Sequence, residues 1–337
     1  LPLPRMPPSP APAQACPSRV PEARCLVVVA FCSVFLGCGE PWPEPDMVDS
    51  TVFAEEHETW RVQREGRAVT PPGGPVLWIG LWQLSEGANP FGADPGLPIV
   101  LGGQNVPPVV GTLYREGALV ELEPAPGVDI RLHEGPAVAE RMELRNDRDD
   151  EPTRLAVGSL GLRIHAEPGT DRLWLRAWDE AHPERETFRL PDYFPVDPEW
   201  RVRARFEPYD EPEMLRLPDV TGGTVEFRAT GELVFERDGR RHRIIATAGE
   251  TSSSFFVMLW DSTATATTYR AGRYLRVPFP EDDGWTTIDF NRTYNAPCAF
   301  TAYSVCALPP RENWLELWVE AGEMRPDKLP EVATQGG

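Results

Sequence analysis

The sequence predicts an all-β fold built from two β-sandwich or partly open barrel modules, with a short N-terminal helix. Three observations support this fold class. The 337 residues include 38 prolines, roughly double the usual share of about 5%, and prolines interrupt helices. Short apolar runs recur along the chain, bounded by glycine or proline and often alternating between apolar and polar side chains. Residues 190–325 contain no apolar pattern with a helical period of useful length.

Residues 1–37 are interpreted as a signal peptide. Three arginines precede an apolar run at residues 25–37, which is too short to span a bilayer comfortably but suits a signal-peptide core. The run ends just before Cys38 and resembles a bacterial lipobox, with Phe35 where leucine is usual. This resemblance implies that Cys38 is lipidated; a signal peptide without lipid and a retained anchor helix are the alternatives. We therefore expect an exported protein of the cell envelope, attached to the membrane by its lipid and facing the periplasm or the cell exterior.

Residues 38–50 are acidic and broken by prolines, as expected of a tether. A helix is predicted from Thr51 to Arg67, and it opens an N-terminal β module at residues 51–180. The strands predicted in this module are VLWIGLWQL (76–84), PIVL (98–101), VVGTLY (109–114), ALVELE (118–123), VDIRLH (128–133), LGLRIHAE (160–167) and RLWLRAWD (172–179).

A linker at about residues 179–191 leads to a C-terminal β module at residues 190–325, and residues 326–337 are expected to form a flexible tail. The second module again shows short strands at the spacing typical of sandwiches and barrels. Its predicted strands are WRVRARFEP (200–208), GTVEFRAT (223–230), GELVFERDG (231–239), RHRIIATAG (241–249), SFFVMLWDS (254–262), RYLRVPF (273–279), WTTIDFN (285–291) and NWLELWVEAGE (313–323).

Charge and motifs exclude several function classes. The net charge of −19, without a compensating basic cluster, argues against nucleic-acid binding. The chain has no nucleophile elbow, no zinc-protease helix motif and no phosphate-cradling glycine loop. We therefore expect no cofactor and no metal, and the acidic run at residues 146–151 is interpreted as a solvated loop rather than a calcium site.

Four stretches together resemble the bacterial and archaeal domain of unknown function 1684 family. The resemblance extends from about Trp60 to Glu323 and departs from the family pattern at Ala296, where a proline is usual. It implies no activity, because the family has none established. The first module also resembles a forkhead-associated sandwich, in architecture only. The four stretches are WIGLWQLSEGANPFGADP (78–95), DYFPVDPEWRVRARFEP (192–208), LWDSTATATTYRAGRYLRVPFP (259–280) and DFNRTYNAPCAFTAYSVCALPPRENWLELWVEAGE (289–323).

Polar residues cluster at predicted strand ends in the second module. Asp261 and Thr263 are two residues apart, as are Asp289 and Asn291, and a period of two places each pair on one strand face. Five further polar residues match the family pattern: Tyr269, Arg273, Tyr294, Asn295 and Glu323.

Three interpretations of this cluster remain open. It forms a binding or catalytic pocket, or a structural network in which Arg273 clamps a carboxylate, or a site where Asp261 and Asp289 hold a hard cation. A concave pocket lined by the cluster would favour the first interpretation, whereas a flat, fully hydrogen-bonded cluster would favour the second.

Cys298 and Cys306 are separated by seven residues and flanked by prolines. In an oxidising compartment two such cysteines pair readily, so a disulfide is predicted. Two reduced, buried thiols are the alternative, and a zinc site is disfavoured because no further cysteine or histidine is close in sequence.

Taken together, these patterns indicate a non-catalytic binding or scaffolding module whose ligand is an envelope glycan, peptide or protein. The alternative is a hydrolase or lyase that uses Asp261, Asp289 or Glu323 as acid and base around Tyr269 and Arg273. Such chemistry needs carboxylates whose pKa values differ and whose oxygens reach a substrate.

Overall fold

A computed structural model describes residues 42–45 and 47–330 of the chain. The predicted signal peptide, the predicted lipidation at Cys38 and the last seven residues of the predicted tail lie outside the described residues. Among the described helices, none has both the length and the apolar character that crossing a bilayer requires.

The N-terminal helix α1 spans Ser50–Ala68, which confirms the predicted helix. Asp49 caps it, because its side chain accepts the backbone N–H of Thr51 at 2.9 Å and of Val52 at 3.1 Å. The helix was predicted as part of the N-terminal module, yet its polar contacts are with residues of the C-terminal block. Just before it, in the predicted tether, the indole of Trp42 donates to the Arg203 carbonyl at 3.0 Å.

The N-terminal block is a sandwich of two five-stranded sheets, as predicted. One sheet has the order β1-β10-β9-β8-β6 and the other β3-β2-β4-β5-β7; all pairs are antiparallel except β2 and β3. A shared apolar core fills the space between them, with Leu113 and Leu122 from one sheet and Leu162 and Leu175 from the other. The strands are β1 (Trp78–Gln83), β2 (Gly87–Gly92), β3 (Ile99–Val100), β4 (Gly111–Glu116), β5 (Leu119–Pro124), β6 (Arg131–Leu132), β7 (Met142–Glu143), β8 (Arg154–Val157), β9 (Leu160–Ala166) and β10 (Leu173–Asp179).

A short helix α2 (Glu184–Thr187) lies in the predicted linker, and the C-terminal block then forms one eight-stranded sheet. Its order is β16-β11-β12-β13-β14-β15-β17, with β18 pairing in parallel with β14. Two predicted strands, GTVEFRAT and GELVFERDG, are a single strand, because the register shift at residues 229–231 bends it without ending it. The strands are β11 (Arg201–Pro218), β12 (Thr224–Arg237), β13 (Arg240–Thr247), β14 (Ser254–Asp261), β15 (Arg273–Pro278), β16 (Trp285–Asp289), β17 (Tyr294–Asn295) and β18 (Trp314–Leu315).

The C-terminal sheet is covered by apolar side chains on both faces. Along β14, Phe255 and Val257 belong to one cluster, whereas Phe256 and Met258 belong to the other, as alternation requires. Residues at the strand ends of this sheet therefore lie close to buried side chains on both faces of the sheet.

No described strand of one block pairs with a strand of the other, but polar contacts join the blocks. Arg176 in β10 donates to the Tyr303 carbonyl at 3.1 Å, and its guanidinium lies over the Trp78 ring at 3.8 Å. The predicted domain boundaries themselves stay a prediction.

Candidate functional site

Arg273 lies at the centre of the predicted polar cluster and is completely buried. It opens β15, next to the strand that ends at Asp261. Its Nη2 atom donates to Asp261 Oδ2 at 2.9 Å and to the Val319 carbonyl at 3.0 Å. Its Nη1 atom donates to the carbonyls of Ala321 and Glu323. One guanidinium therefore joins the end of β14 to the C-terminal segment.

The second oxygen of Asp261 is also occupied. Oδ1 accepts the backbone N–H of Thr263 at 3.0 Å, the hydroxyl of Thr263, and the backbone N–H of Val319 at 3.3 Å. The Thr263 hydroxyl in turn contacts the Thr268 hydroxyl at 2.8 Å. Asp261 is 1% exposed, so neither of its oxygens is available to solvent.

The spacing of two residues between Asp261 and Thr263, and between Asp289 and Asn291, was predicted to place each pair on one strand face. The structure shows a different reason for it. Asp261 and Asp289 each end a strand and cap a 3₁₀ turn. Each carboxylate accepts the backbone N–H of the residue two positions later in the chain, that of Thr263 at 3.0 Å and that of Asn291 at 3.1 Å. The pairs are therefore local capping motifs, which aspartate forms readily at such turns.

Asp289 is bound by helix α1. Its Oδ2 atom lies 2.8 Å from Nε2 of His57, and Nδ1 of the same ring lies 2.8 Å from the Phe53 carbonyl. His57 is completely buried, and both of its ring nitrogens face oxygen acceptors. The other carboxylate oxygen accepts the side-chain amide of Asn291 at 3.0 Å, and Asn291 also bonds both backbone groups of Asp197.

Glu323 forms a third network, again with helix α1. Its Oε1 atom accepts the Tyr193 hydroxyl at 2.9 Å and lies 3.1 Å from Arg64 Nε, while Oε2 accepts the Asn295 backbone N–H at 2.7 Å. Burial and the adjacent Glu323 carboxylate raise the pKa of Tyr193, so its phenol stays protonated as a donor. The Asn295 side chain donates to the Met324 carbonyl at 2.7 Å.

The two predicted tyrosines are structural in character. The Tyr269 hydroxyl donates to the Cys298 carbonyl at 3.2 Å, and burial raises its pKa. Tyr294 lies under the Arg64 guanidinium, 4.9 Å from its ring centroid, and burial raises its pKa as well. Both phenols therefore stay protonated near neutral pH, so neither can act as a general base there.

The predicted disulfide is absent from the structure. Cys298 and Cys306 are buried free thiols, and the Cys298 backbone N–H donates to the Cys306 sulfur at 3.2 Å. The hydrogen bond with Cys306, together with burial, raises the pKa of the Cys298 thiol well above its usual range. The seven-residue loop thus brings the sulfurs into one buried site in which they are held as thiols.

The candidate residues therefore divide into three hydrogen-bonded networks around Asp261, Asp289 and Glu323. Arg273 links the first and third by donating to the Glu323 carbonyl at 3.3 Å. Among the described residues, no hydrogen bond or ion pair joins Asp289 to Asp261 or Glu323. The interpretation of Asp261 and Asp289 as a cation site has no support in the geometry, because Asp261 is paired with Arg273 and Asp289 with His57. Within residues 42–45 and 47–330, no three His, Cys, Asp or Glu side chains are grouped to hold a metal ion.

Comparison with known proteins identifies the family. Residues 186–324 match the family described as protein of unknown function (DUF1684). An uncharacterized protein of Haloarcula marismortui, known from a solution NMR structure, is 34% identical over 80% of its own chain and 42% of this one. The chain belongs to the DUF1684 family. The match begins at residue 186, so it is narrower than the resemblance predicted from Trp60 onwards.

The TM-score to the Haloarcula marismortui structure is 0.36, which is too low for a comparison of folds. No curated protein matches the chain. Membership of the DUF1684 family therefore adds no activity, and the chemistry of the site rests on its own geometry.

Sequence reasoning missed three residues that complete the networks: His57 and Arg64 on α1, and Tyr193 at the start of the C-terminal block. The sequence does contain a pattern that indicates the two helix residues, His57 and Arg64. Phe53, His57, Trp60 and Arg64 recur at intervals of four, three and four residues, which places them on one helix face. Tyr193 lies within a stretch that matches the family but had no partner assigned.

A further titratable group lies in the N-terminal block. Asp147 Oδ2 lies 2.7 Å from Nδ1 of His165 and 3.5 Å from Nη2 of Arg163, and its Oδ1 accepts the Ala166 N–H at 3.0 Å. Burial lowers the pKa of His165, although the hydrogen bond to Asp147 acts in the opposite direction. The neutral imidazole therefore fits this position.

Two surface cavities lie among the described residues, and neither is lined by a residue of the predicted cluster. One, of about 410 Å³, lies against α1 at Val52, Trp60 and Arg292. The other, of about 270 Å³, lies on the C-terminal sheet between β12 and β15. The cluster residues are instead largely buried and hydrogen-bonded, with only Arg273 Nε and Asn295 Oδ1 buried without a partner among them. This arrangement favours the structural interpretation.

Proposed function

We propose that this DUF1684 protein is a non-catalytic binding module of the cell envelope, attached to the membrane through lipid on Cys38. One observation carries the non-catalytic part. The carboxylates that an acid–base mechanism needs, Asp261 and Glu323, are 1% and 0% exposed, and every oxygen accepts a hydrogen bond from the protein. A general acid or base must come within hydrogen-bond reach of its substrate, and these groups have neither room nor a free oxygen.

Asp289, the third candidate, is the most exposed of the three carboxylates at 17% of its side chain. Its oxygens are nevertheless occupied by His57, by the amide and N–H of Asn291, and by Arg292 at 3.4 Å. The alternative of a hydrolase or lyase therefore has no specific support in the geometry.

An exposed aromatic face supports the binding part. From Trp314 to Glu320, exposed and buried side chains alternate, and Leu315 and Leu317 fill the core. On the solvent side, Trp318 is 53% exposed, and its indole has no ring contact or hydrogen bond among the described residues. Exposed tryptophans are enriched in binding surfaces because they bury a large apolar area on contact.

We infer that the tryptophan face, Trp314, Trp318 and the neighbouring Trp260, binds an envelope glycan. Trp314 is stacked on Trp260 with ring centroids 5.0 Å apart, and the Arg311 guanidinium lies 4.6 Å from the Trp314 ring centroid, so the Trp314 ring is held in place four residues before the free indole. Glu316 and Glu320 flank Trp318 along the segment and supply acceptors for hydroxyl groups. The same carboxylates, in a chain of net charge −19, disfavour an anionic ligand.

Co-sedimentation with purified peptidoglycan, beside titration of a neutral N-acetylglucosamine oligomer, tests this function. Trp318→Ala should weaken binding at least about tenfold, as expected for a central aromatic contact. Met214→Ala, which removes a side chain of similar exposure (56%) from β11, is the matched control and should bind as the unaltered protein does. Equal binding by both variants would refute the tryptophan face, and release of cleaved sugar products would refute the non-catalytic assignment.

A further inference from the structure

The cavity of about 270 Å³ on the C-terminal sheet is a separate feature that shares no residue with the tryptophan face. It lies where β13 ends, and the turn that joins β13 to β14 forms one wall. Thr247 and Phe256, directly opposite each other in the sheet, both line it. Its size is slightly below that of cavities for drug-sized ligands, so it suits a small molecule.

The cavity has cations without anionic partners. Arg228 and Arg276 both line it, and neither forms an ion pair with a carboxylate of the described chain. Glu226, the single carboxylate of the lining, is bound to Arg216 outside the cavity, with Nε 2.8 Å from Oε1.

The position of Arg276 is fixed by an aromatic ring. Its guanidinium lies 4.7 Å from the centroid of Phe256, the residue directly opposite on β14. The guanidinium also makes a side-chain hydrogen bond with Tyr294, and its remaining N–H groups match the two oxygens of a carboxylate. Phe227 lies beside Phe256, with ring centroids 5.9 Å apart, so the cavity combines a cationic rim with an aromatic floor.

Hydroxyl groups at the turn add one further donor. Ser252 Oγ accepts the Gly249 N–H at 3.0 Å, and its own hydrogen has no acceptor among the described residues. Thr247, in contrast, donates its hydroxyl to the Phe256 carbonyl at 2.8 Å. The Ser252 hydroxyl is thus available to a ligand oxygen in the cavity.

From this arrangement we infer that the cavity binds a small organic carboxylate with an apolar body. The anionic group pairs with the guanidinium of Arg276, supported by Arg228 and the Ser252 hydroxyl, and the apolar body contacts Phe227 and Phe256. The inference is independent of the glycan proposal, because Trp318→Ala should leave carboxylate binding unchanged.

Isothermal titration of the purified protein with benzoate tests the inference. We expect a Kd of about 1 mM or lower, in keeping with the affinity that nine non-hydrogen atoms can supply. Benzyl alcohol, which lacks the charge, and inorganic phosphate, which lacks the apolar body, should each bind at least about tenfold more weakly.

Arg276→Gln should raise the Kd for benzoate at least about tenfold. The Kd of Arg276→Lys should lie between those of Arg276→Gln and the unaltered protein, because lysine keeps the charge without the planar guanidinium. The matched control is Arg154→Gln, which removes the same charge from an exposed position on β8 of the other block. Benzoate binding that survives Arg276→Gln, or falls equally in the control, would overturn the inference. So would equal affinity for benzyl alcohol or for phosphate, or no benzoate binding at about 10 mM.

Discussion

Replacing Arg273 by alanine separates a structural cluster from a ligand site. The side chain is completely buried, and its removal leaves Asp261 without its cationic partner. It also removes a donor from three carbonyls, those of Val319, Ala321 and Glu323. Breaking a buried ion pair by deleting one partner costs about 3–5 kcal/mol, because the remaining charge stays buried.

A loss of this size should lower the melting temperature by about 6–20 °C, taking about 2–4 °C for each kcal/mol in a protein of this size. Differential scanning calorimetry and urea unfolding at fixed pH are the measurements. Arg276→Ala is the matched control, because Arg276 lies on the same strand but is exposed, and its loss should cost no more than about 0.5 kcal/mol.

A double-variant cycle tests the pairing itself. In an Asp261→Asn background a neutral amide replaces the carboxylate, so no buried charge loses its partner. The further change Arg273→Ala should therefore reduce the free energy of unfolding by less than it does in the unaltered protein. The expected coupling is about 0.5–3 kcal/mol. A melting temperature for Arg273→Ala within about 2 °C of the unaltered protein, or a coupling near zero, would refute the structural assignment.

Three further predictions follow from other parts of the chain. Burial lowers the pKa of His165 in the folded protein below its ordinary value of about 6.5. As the pH falls below that value, the unfolded state binds more protons than the folded state, so the free energy of unfolding decreases. In urea titrations at several pH values, His165→Gln should make this decrease with pH smaller, and an unchanged pH dependence would contradict the assignment. Cys298 and Cys306 should react with a thiol reagent only after denaturation, giving two thiols per chain in unreduced protein that is cleaved before Cys38 and acylated there, whereas none in denaturant would indicate the disulfide after all. Cys38→Ser should abolish acylation and shift the protein from the membrane to the soluble fraction; mass and fractionation identical to those of the unaltered chain would exclude the lipid anchor.

Much of the fold could be predicted from sequence because strands and caps are written in local patterns. The alternation of LGLRIHAE and RLWLRAWD gave β9 and β10 to within one residue, and Asp49 marks the start of α1. VDIRLH shows the limit of this reasoning. Its alternation is real, with Ile130 buried and its neighbours exposed, yet only Arg131 and Leu132 pair with another strand.

The candidate site was predicted in composition but not in arrangement. All nine residues lie at strand ends, in turns or on short strands, yet they form no common pocket. Seven of them belong to three hydrogen-bonded networks, two of which Arg273 links, while Tyr269 and Tyr294 make other contacts. The arrangement could not be predicted because the side chains of the cluster bind residues that are remote in the sequence. The contact of Asp289 with His57 spans 232 positions, and that of Arg273 with Val319 spans 46.

The sequence by itself determined the helix, most of the longer strands and the family, because each depends on residues within a few positions of one another or on a long continuous motif. Only the tertiary structure decided that α1 binds the C-terminal block, that Arg273 is sealed among carbonyls, and that Arg276 is left beside an open cavity. Both arginines lie on β15, three residues apart. Alternation places Arg273 on the same strand face as the core residues Leu275 and Val277, and Arg276 on the opposite face. How completely other segments cover each face is decided by the tertiary structure alone.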